Sequence, residues 1–75
     1  MDIAQIVEYG MRDGLNPILR TDMLAHNARM HGITEPNDVA RYGDAFCVAR
    51  TRLKQRALRA RLGVHDYVLS QGREA

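Results

Sequence analysis

From Val39 to Ala60, apolar residues recur at helical spacing: Val39, Tyr42, Phe46, Ala49, Leu53, Ala57 and Ala60. At 100° per residue they fall within about 80° of one another, so a single α-helix gathers them into one stripe. Gly43 lowers helix propensity inside the stretch, yet Val39 and Tyr42 keep phase with Phe46 and Leu53 across it. The stripe therefore predicts one continuous helix from about Pro36 or Asp38 to Leu62, capped by Thr34 or Asn37. Phe46 and Leu53 lie at the centre of the stripe and are expected in the middle of the core.

The same stretch concentrates charge. Six of the eleven cationic residues fall within twelve positions: Arg50, Arg52, Lys54, Arg56, Arg59 and Arg61. Arg50, Lys54 and Arg61 flank the apolar stripe on one side, and Arg52, Arg56 and Arg59 on the other. A net charge of +2 conceals the segregation, because residues 1–40 carry −3, residues 41–63 carry +6 and residues 64–75 carry −1. A basic middle between acidic ends points to an anionic partner, either nucleic acid or an acidic protein surface. Arginine binds phosphate in a two-pronged fashion, and a helix fits the major groove of DNA. The competing expectation is a solvated helix whose arginine stems cover apolar surface and whose heads pair with the acidic half of the same domain.

Glycines punctuate the rest of the chain. Gly14-Leu15, Gly32-Ile33 and Gly63-Val64 each fit a helix end in which glycine turns left-handed and the next apolar residue folds back. Four helices are expected. The first covers about Ile3 to Asp13, with Asp2 and Gln5 as a capping box and Ile3, Ile6, Val7, Gly10 and Met11 on one side. The second begins at Asn16-Pro17, with Asn16 as N-cap, and ends near His31. Its apolar residues form two sectors: Ile18, Leu24, Ala25 and Ala28, and opposite them Leu19, Met23 and Met30. A helix apolar on two sides is central to the fold or lends one side to a partner. Methionine suits adaptable contact surfaces, which makes Leu19, Met23 and Met30 a candidate protein interface. The fourth helix, about Asp66 to Ser70, is expected to offer Tyr67, Val68 and Leu69 to the core. Period-two alternation is absent. The fold class is all-α: one domain over residues 1–75, a bundle of about four helices dominated by the long basic one.

A chain of 75 residues buries only about 60–65% of its unfolded surface, so its core is small. A partner subunit is the expected supplement, as a homodimer through the second or third helix. Disulfides are excluded because Cys47 is the only cysteine. Its place within an apolar helix predicts burial, and a lone thiol fits a reducing, cytoplasmic setting. The start lacks the basic and apolar regions of a signal peptide, and no apolar run is long enough to span a membrane.

Nothing in the sequence marks a reaction. His26 and His31 are five apart, whereas metal-binding pairs on helices use three or four. Cys47 has no recognisable nucleophile setting, Ser70 is the only serine, and the glycines form no phosphate loop. No enzyme activity, cofactor or metal is expected. The four aromatics, Tyr9, Tyr42, Phe46 and Tyr67, offer no stacking platform for single-stranded bases.

Leu58, Leu62, Gly63, Val64 and Leu69 together resemble the helix-turn-helix pattern of DNA-binding regulators. The resemblance covers about a dozen residues and implies a turn at Gly63. Arg59 stands where that pattern uses a small residue, and the would-be recognition helix stops at Gly72. Ala28, Gly32 and Ile33 match a second register, with Asp38 in place of an apolar residue. In size and style the chain is also similar to small helical proteins of phages and mobile elements, which include repressors and anti-CRISPR inhibitors. The resulting expectation is a small non-enzymatic regulator that binds nucleic acid through its basic helix. The alternative is a protein-binding inhibitor or adaptor.

Overall fold

A computed structural model describes the backbone of residues 1–74 and the side chains of residues 1–63. It contains three α-helices: α1 (Ile3–Gly14), α2 (Leu24–Met30) and α3 (Pro36–Glu74). One turn of 3-10 helix, Thr21–Met23, precedes α2. No strand occurs among the described residues.

Helix α3 is 39 residues long, or about 58 Å at 1.5 Å per residue. Pro36 opens it, at a position where a missing N–H costs nothing. Gly43 is helical, as the phase of the stripe requires. Among the described residues of α3, burial is confined to those up to Leu53. Tyr42, Phe46 and Ala49 are fully buried there, and with Ile6, Ala28 and Ile33 they make the core. Tyr9, Leu19, Leu24 and Val39 close around it. Leu53, expected in the middle of the core, is only partly buried because the stripe outruns the residues that cover it, and Ala57 and Ala60, its last members, are exposed.

Small residues set how closely α1 and α3 approach. Gly10 and Gly14 of α1 face Ala45 and Ala49 of α3. A methyl group at Gly10 would lie 2.5 Å from the Tyr42 carbonyl oxygen and 2.8 Å from the Ala45 Cβ. Real carbons do not come so near. The backbones therefore meet only because both α1 positions lack a side chain, the geometry that small residues four apart permit.

Helix α2 ends as its glycine predicts. Gly32 has φ of +81°. Its N–H donates to the Arg29 carbonyl at 2.9 Å and that of Ile33 to the Ala28 carbonyl at 3.0 Å, the paired bonds of a Schellman end. Ile33 folds back onto Ala28, and both are buried.

Several expectations are corrected. Gly14 is no left-handed stop, since Gly32 alone among the described residues has positive φ; Gly14 serves close packing instead. Asp2 makes no side-chain cap bond, and Gln5 Nε2 donates to the Tyr9 hydroxyl at 3.4 Å rather than closing a capping box.

The expected second helix is two pieces. Asn16 does cap a turn, with Ile18 N–H donating to Asn16 Oδ1 at 3.2 Å. Arg20 is then extended, at φ −88° and ψ 143°. This break brings Leu19 and Leu24 to the same core and leaves Ile18 83% exposed. The two apolar sectors arose from reading two segments with one helical phase.

Gly63 does not end a helix, so there are three helices rather than four. Residues 53–62 are almost all strong helix formers, a glycine costs about 1 kcal/mol, and no contact asks the chain to turn there. A methyl at Gly63 would meet nothing within 4 Å. The residues assigned to a fourth helix are part of α3. The expected core contacts of Tyr67, Val68 and Leu69 lie outside the described side chains. Cys47 is exposed rather than buried, because it sits on the side of α3 away from α1 and α2.

Candidate basic-helix interface

Every described side chain from residue 54 to residue 63 is exposed. Here α3 has run past α1 and α2. The sequence supports the overhang: Lys54, Gln55, Arg56, Ala57, Leu58, Arg59, Ala60, Arg61 and Leu62 all have high helix propensity. The packed half of α3 supplies the costly nucleus from which they extend.

The six cations divide by position along α3. Arg50 lies over the core. Its Nε donates to the Gly14 carbonyl at 2.8 Å, and its Nη2 donates to the carbonyls of Asn16 at 2.8 Å and Leu19 at 2.6 Å. The guanidinium also lies 4.9 Å from the centre of the Phe46 ring. It is thus taken up in holding the α1–α2 connection. Arg52, Lys54, Arg56, Arg59 and Arg61 are exposed and have no ion-pair partner among the described residues. Earlier cations pair locally: Arg12 with Glu8, Arg20 with Asp22 and Arg41 with Asp38.

At 100° per residue, Arg52, Arg56 and Arg59 form one ridge, and Lys54 and Arg61 a second about 180° away. Leu58 and Leu62 lie between the ridges on one side, Ala57 and Ala60 on the other. Arg52 and Arg56 are four apart, Arg56 and Arg59 three apart. Such like-charge neighbours cost a helix about 0.2–0.5 kcal/mol per pair, and a bound anion relieves the cost. Sequence supplies no acid between Asp44 and Asp66 to do so internally.

The expected protein-interface residues do not stay together. Leu19 joins the edge of the core, whereas Met23 is 43% and Met30 74% exposed.

One cluster escaped sequence reasoning. Tyr42 Oη donates to Asp13 Oδ2 at 2.5 Å, and His31 Nε2 lies 2.7 Å from the same oxygen. The His31 ring stacks on Tyr9 with 4.2 Å between centroids. Asp13 thereby links α1, the end of α2 and α3. Burial first, then the bond to Asp13 and its negative charge, push the Tyr42 phenol well above its ordinary range. Tyr42 is inaccessible to solvent, so the cluster is a structural tie and not a reactive centre. Its sequence signal was faint: Asp13 sits in the last turn of α1, where the helix dipole disfavours an acid that has no other partner.

Among the described residues, no three His, Cys, Asp or Glu side chains converge to hold a metal ion, and no helix is long and apolar enough to cross a membrane. No protein-family model matches the chain, and neither a curated protein nor a solved structure shows detectable similarity to it.

Proposed function

We propose that this chain is a small regulator that binds duplex nucleic acid by laying the overhanging half of α3 in a major groove. The observation that supports it is the pair of basic ridges on opposite sides of an exposed helix. A major groove about 12 Å wide admits a helix of about 10–12 Å, and phosphates line both its walls. Each ridge then faces one wall. Gln55 is the one amide side chain on the exposed segment from residue 54 to residue 63, and the alanines reach only thymine methyls, so binding is largely insensitive to sequence. The test is fluorescence anisotropy of a labelled 20-base-pair duplex at several salt concentrations. Steep loss of affinity with salt is expected; absence of binding at low salt and micromolar protein would sink the proposal.

A helix-turn-helix mode is not part of it, because α3 runs unbroken through Gly63. The second register does contain a real turn at Gly32, but Glu35 just before the next helix and Asp38 in its first turn repel phosphate.

The alternative, a protein-binding inhibitor or adaptor, draws on a different observation. Ile18 and Met30 are 83% and 74% exposed, and nucleic-acid binding by α3 uses neither. Retention of one protein partner after nuclease treatment, lost on Met30→Glu, would favour it.

A further inference from the structure

We infer that α3 also docks an acidic amphipathic helix of a partner protein, along a heptad seam on the side of α3 opposite the core. This inference does not rest on nucleic-acid binding. Val48, Thr51, Gln55, Leu58 and Leu62 follow one another at intervals of three, four, three and four. That is the a/d spacing of a coiled-coil contact. The seam lies about 180° around α3 from Phe46 and Leu53, so the core does not use it. Its large apolar members are half exposed: Val48 49%, Leu58 56% and Leu62 54%.

The seam does not end in open solvent at its N-terminal side. Val48 also lines an open groove of about 450 Å³ between α1 and α3, together with Ile3, Val7 and Met11 and with the charged Arg41, Asp44 and Arg52, two cations to one acid. Ile3 is 53% exposed at its edge. A helix laid on Leu62 and Leu58 continues over Val48 into this groove, and so buries apolar surface on two helices rather than one.

Charge selects the occupant. With Val48, Gln55 and Leu62 at a, and Thr51 and Leu58 at d, Arg52 and Arg59 occupy e while Lys54 and Arg61 occupy g. From Arg52 to Arg61 each e and g position is cationic. In coiled coils these positions decide the partner. A second copy of this chain would set cation against cation in both orientations, since parallel pairing joins e to g and antiparallel pairing joins e to e and g to g. The homodimer expected from the sequence therefore has no favourable seam here. A helix with Glu or Asp at its own e and g positions satisfies both flanks. Phosphates would also satisfy the flanks, but they leave Val48, Leu58 and Leu62 in water. The acidic helix covers both features, which is why we favour protein at this seam. The two occupants share Arg52, Lys54, Arg59 and Arg61, so they exclude one another.

The probe is a fluorescein-labelled synthetic peptide of four heptads with Leu at a and d and Glu at e and g. Two controls are a scrambled peptide of the same composition and a heptad peptide with Lys at e and g. Anisotropy at near-physiological salt is expected to show the Glu heptad peptide binding at least about tenfold more tightly than either control. The double variant L58Q/L62Q is expected to weaken that binding by about tenfold or more, because two leucines lose their burial. Both side chains are exposed, so its circular dichroism melt should match the parent. Equal binding of the scrambled peptide would reduce the effect to charge and overturn the seam, as would unchanged peptide binding by L58Q/L62Q. Sedimentation showing a dimer of the chain alone that L58Q/L62Q dissolves would assign the seam to a second copy instead. Duplex binding that falls about tenfold with the same variant would assign it to nucleic acid.

Discussion

The Arg50 guanidinium donates a 2.6 Å hydrogen bond to the backbone carbonyl of Leu19, thirty-one residues earlier in the chain. Leu19 closes the turn before the extended Arg20, outside any helix, so its carbonyl has no helical N–H to accept from. Arg50 supplies one from α3 while its plane rests near Phe46. The most prominent charge cluster in the sequence thus begins with a residue that works inside the fold.

Arg50→Ala is accordingly expected to destabilise the domain. Bonds to charged donors contribute about 1.5–3 kcal/mol each, and partial exposure to solvent reduces that, so a total loss of about 2–4 kcal/mol is expected. A domain this small holds roughly 5 kcal/mol. Arg50→Lys should recover only part, because an ammonium cannot fork across three carbonyls. Arg61→Ala should leave stability unchanged. Urea unfolding followed by circular dichroism measures all three, and an Arg50→Ala midpoint equal to the parent would show that the clamp contributes nothing.

Glycine-to-alanine substitutions should have opposite signs at two positions in helices. Replacing an exposed helical glycine ordinarily stabilises by up to about 1 kcal/mol, and Gly63→Ala should do so because nothing surrounds it. At Gly10 the added methyl would meet the Tyr42 carbonyl and Ala45, which forces α1 away from α3. Overpacking of this kind costs about 1–3 kcal/mol or more. Thermal melts of the two variants separate the effects; a stabilised Gly10→Ala would mean that the helices sit farther apart than described.

Alkaline pH should weaken the fold through Tyr42. Its folded-state pKa is raised above the unfolded value of about 10. Below that pH both states keep the proton, so the contribution of Tyr42 to stability is fully present and does not change with pH. Above it the unfolded chain releases a proton that the folded chain retains, so stability falls as pH rises. Tyr42→Phe should lower stability near neutral pH by about 0.5–1.5 kcal/mol, through loss of the bond to Asp13. It should also flatten the decline above pH ~10. Parallel declines in parent and variant would place the alkaline sensitivity elsewhere.

What sequence could show followed from local rules. The α3 stripe, the continuity across Gly43 and the Schellman end at Gly32 depend on residues within a few turns of one another. The break at Arg20 does not. It depends on Arg50 reaching the carbonyls of Gly14, Asn16 and Leu19, and on both Leu19 and Leu24 turning to the core. Gly14 was misread for the same reason: a glycine that allows another helix to approach looks like a glycine that ends its own. Gly63 shows the converse, a stop signal with no tertiary contact to enforce it. The basic ridges were legible because exposure left the helical phase of Arg52 to Arg61 undisturbed. The tie among Asp13, His31 and Tyr42 spans three helices and had no local pattern to reveal it.

The two basic ridges distinguish groove insertion from docking of one face on a phosphate surface. Each phosphate neutralised on B-DNA contributes about 0.9 to the slope of log affinity against log salt. If α3 lies between both walls of a groove, Arg52→Ala, Arg56→Ala and Arg59→Ala on one ridge should each flatten the slope by close to that amount. Lys54→Ala and Arg61→Ala on the opposite ridge should do the same. If only one face meets the duplex, one set should flatten the slope and the other leave it untouched. Arg50→Lys is the internal control, since it keeps the cation in place and its slope should equal that of the parent. All five variants are exposed in the free chain, so their melts should match the parent and any change in slope reports contact rather than unfolding. A slope near zero for the parent itself would remove nucleic acid as the partner of this helix.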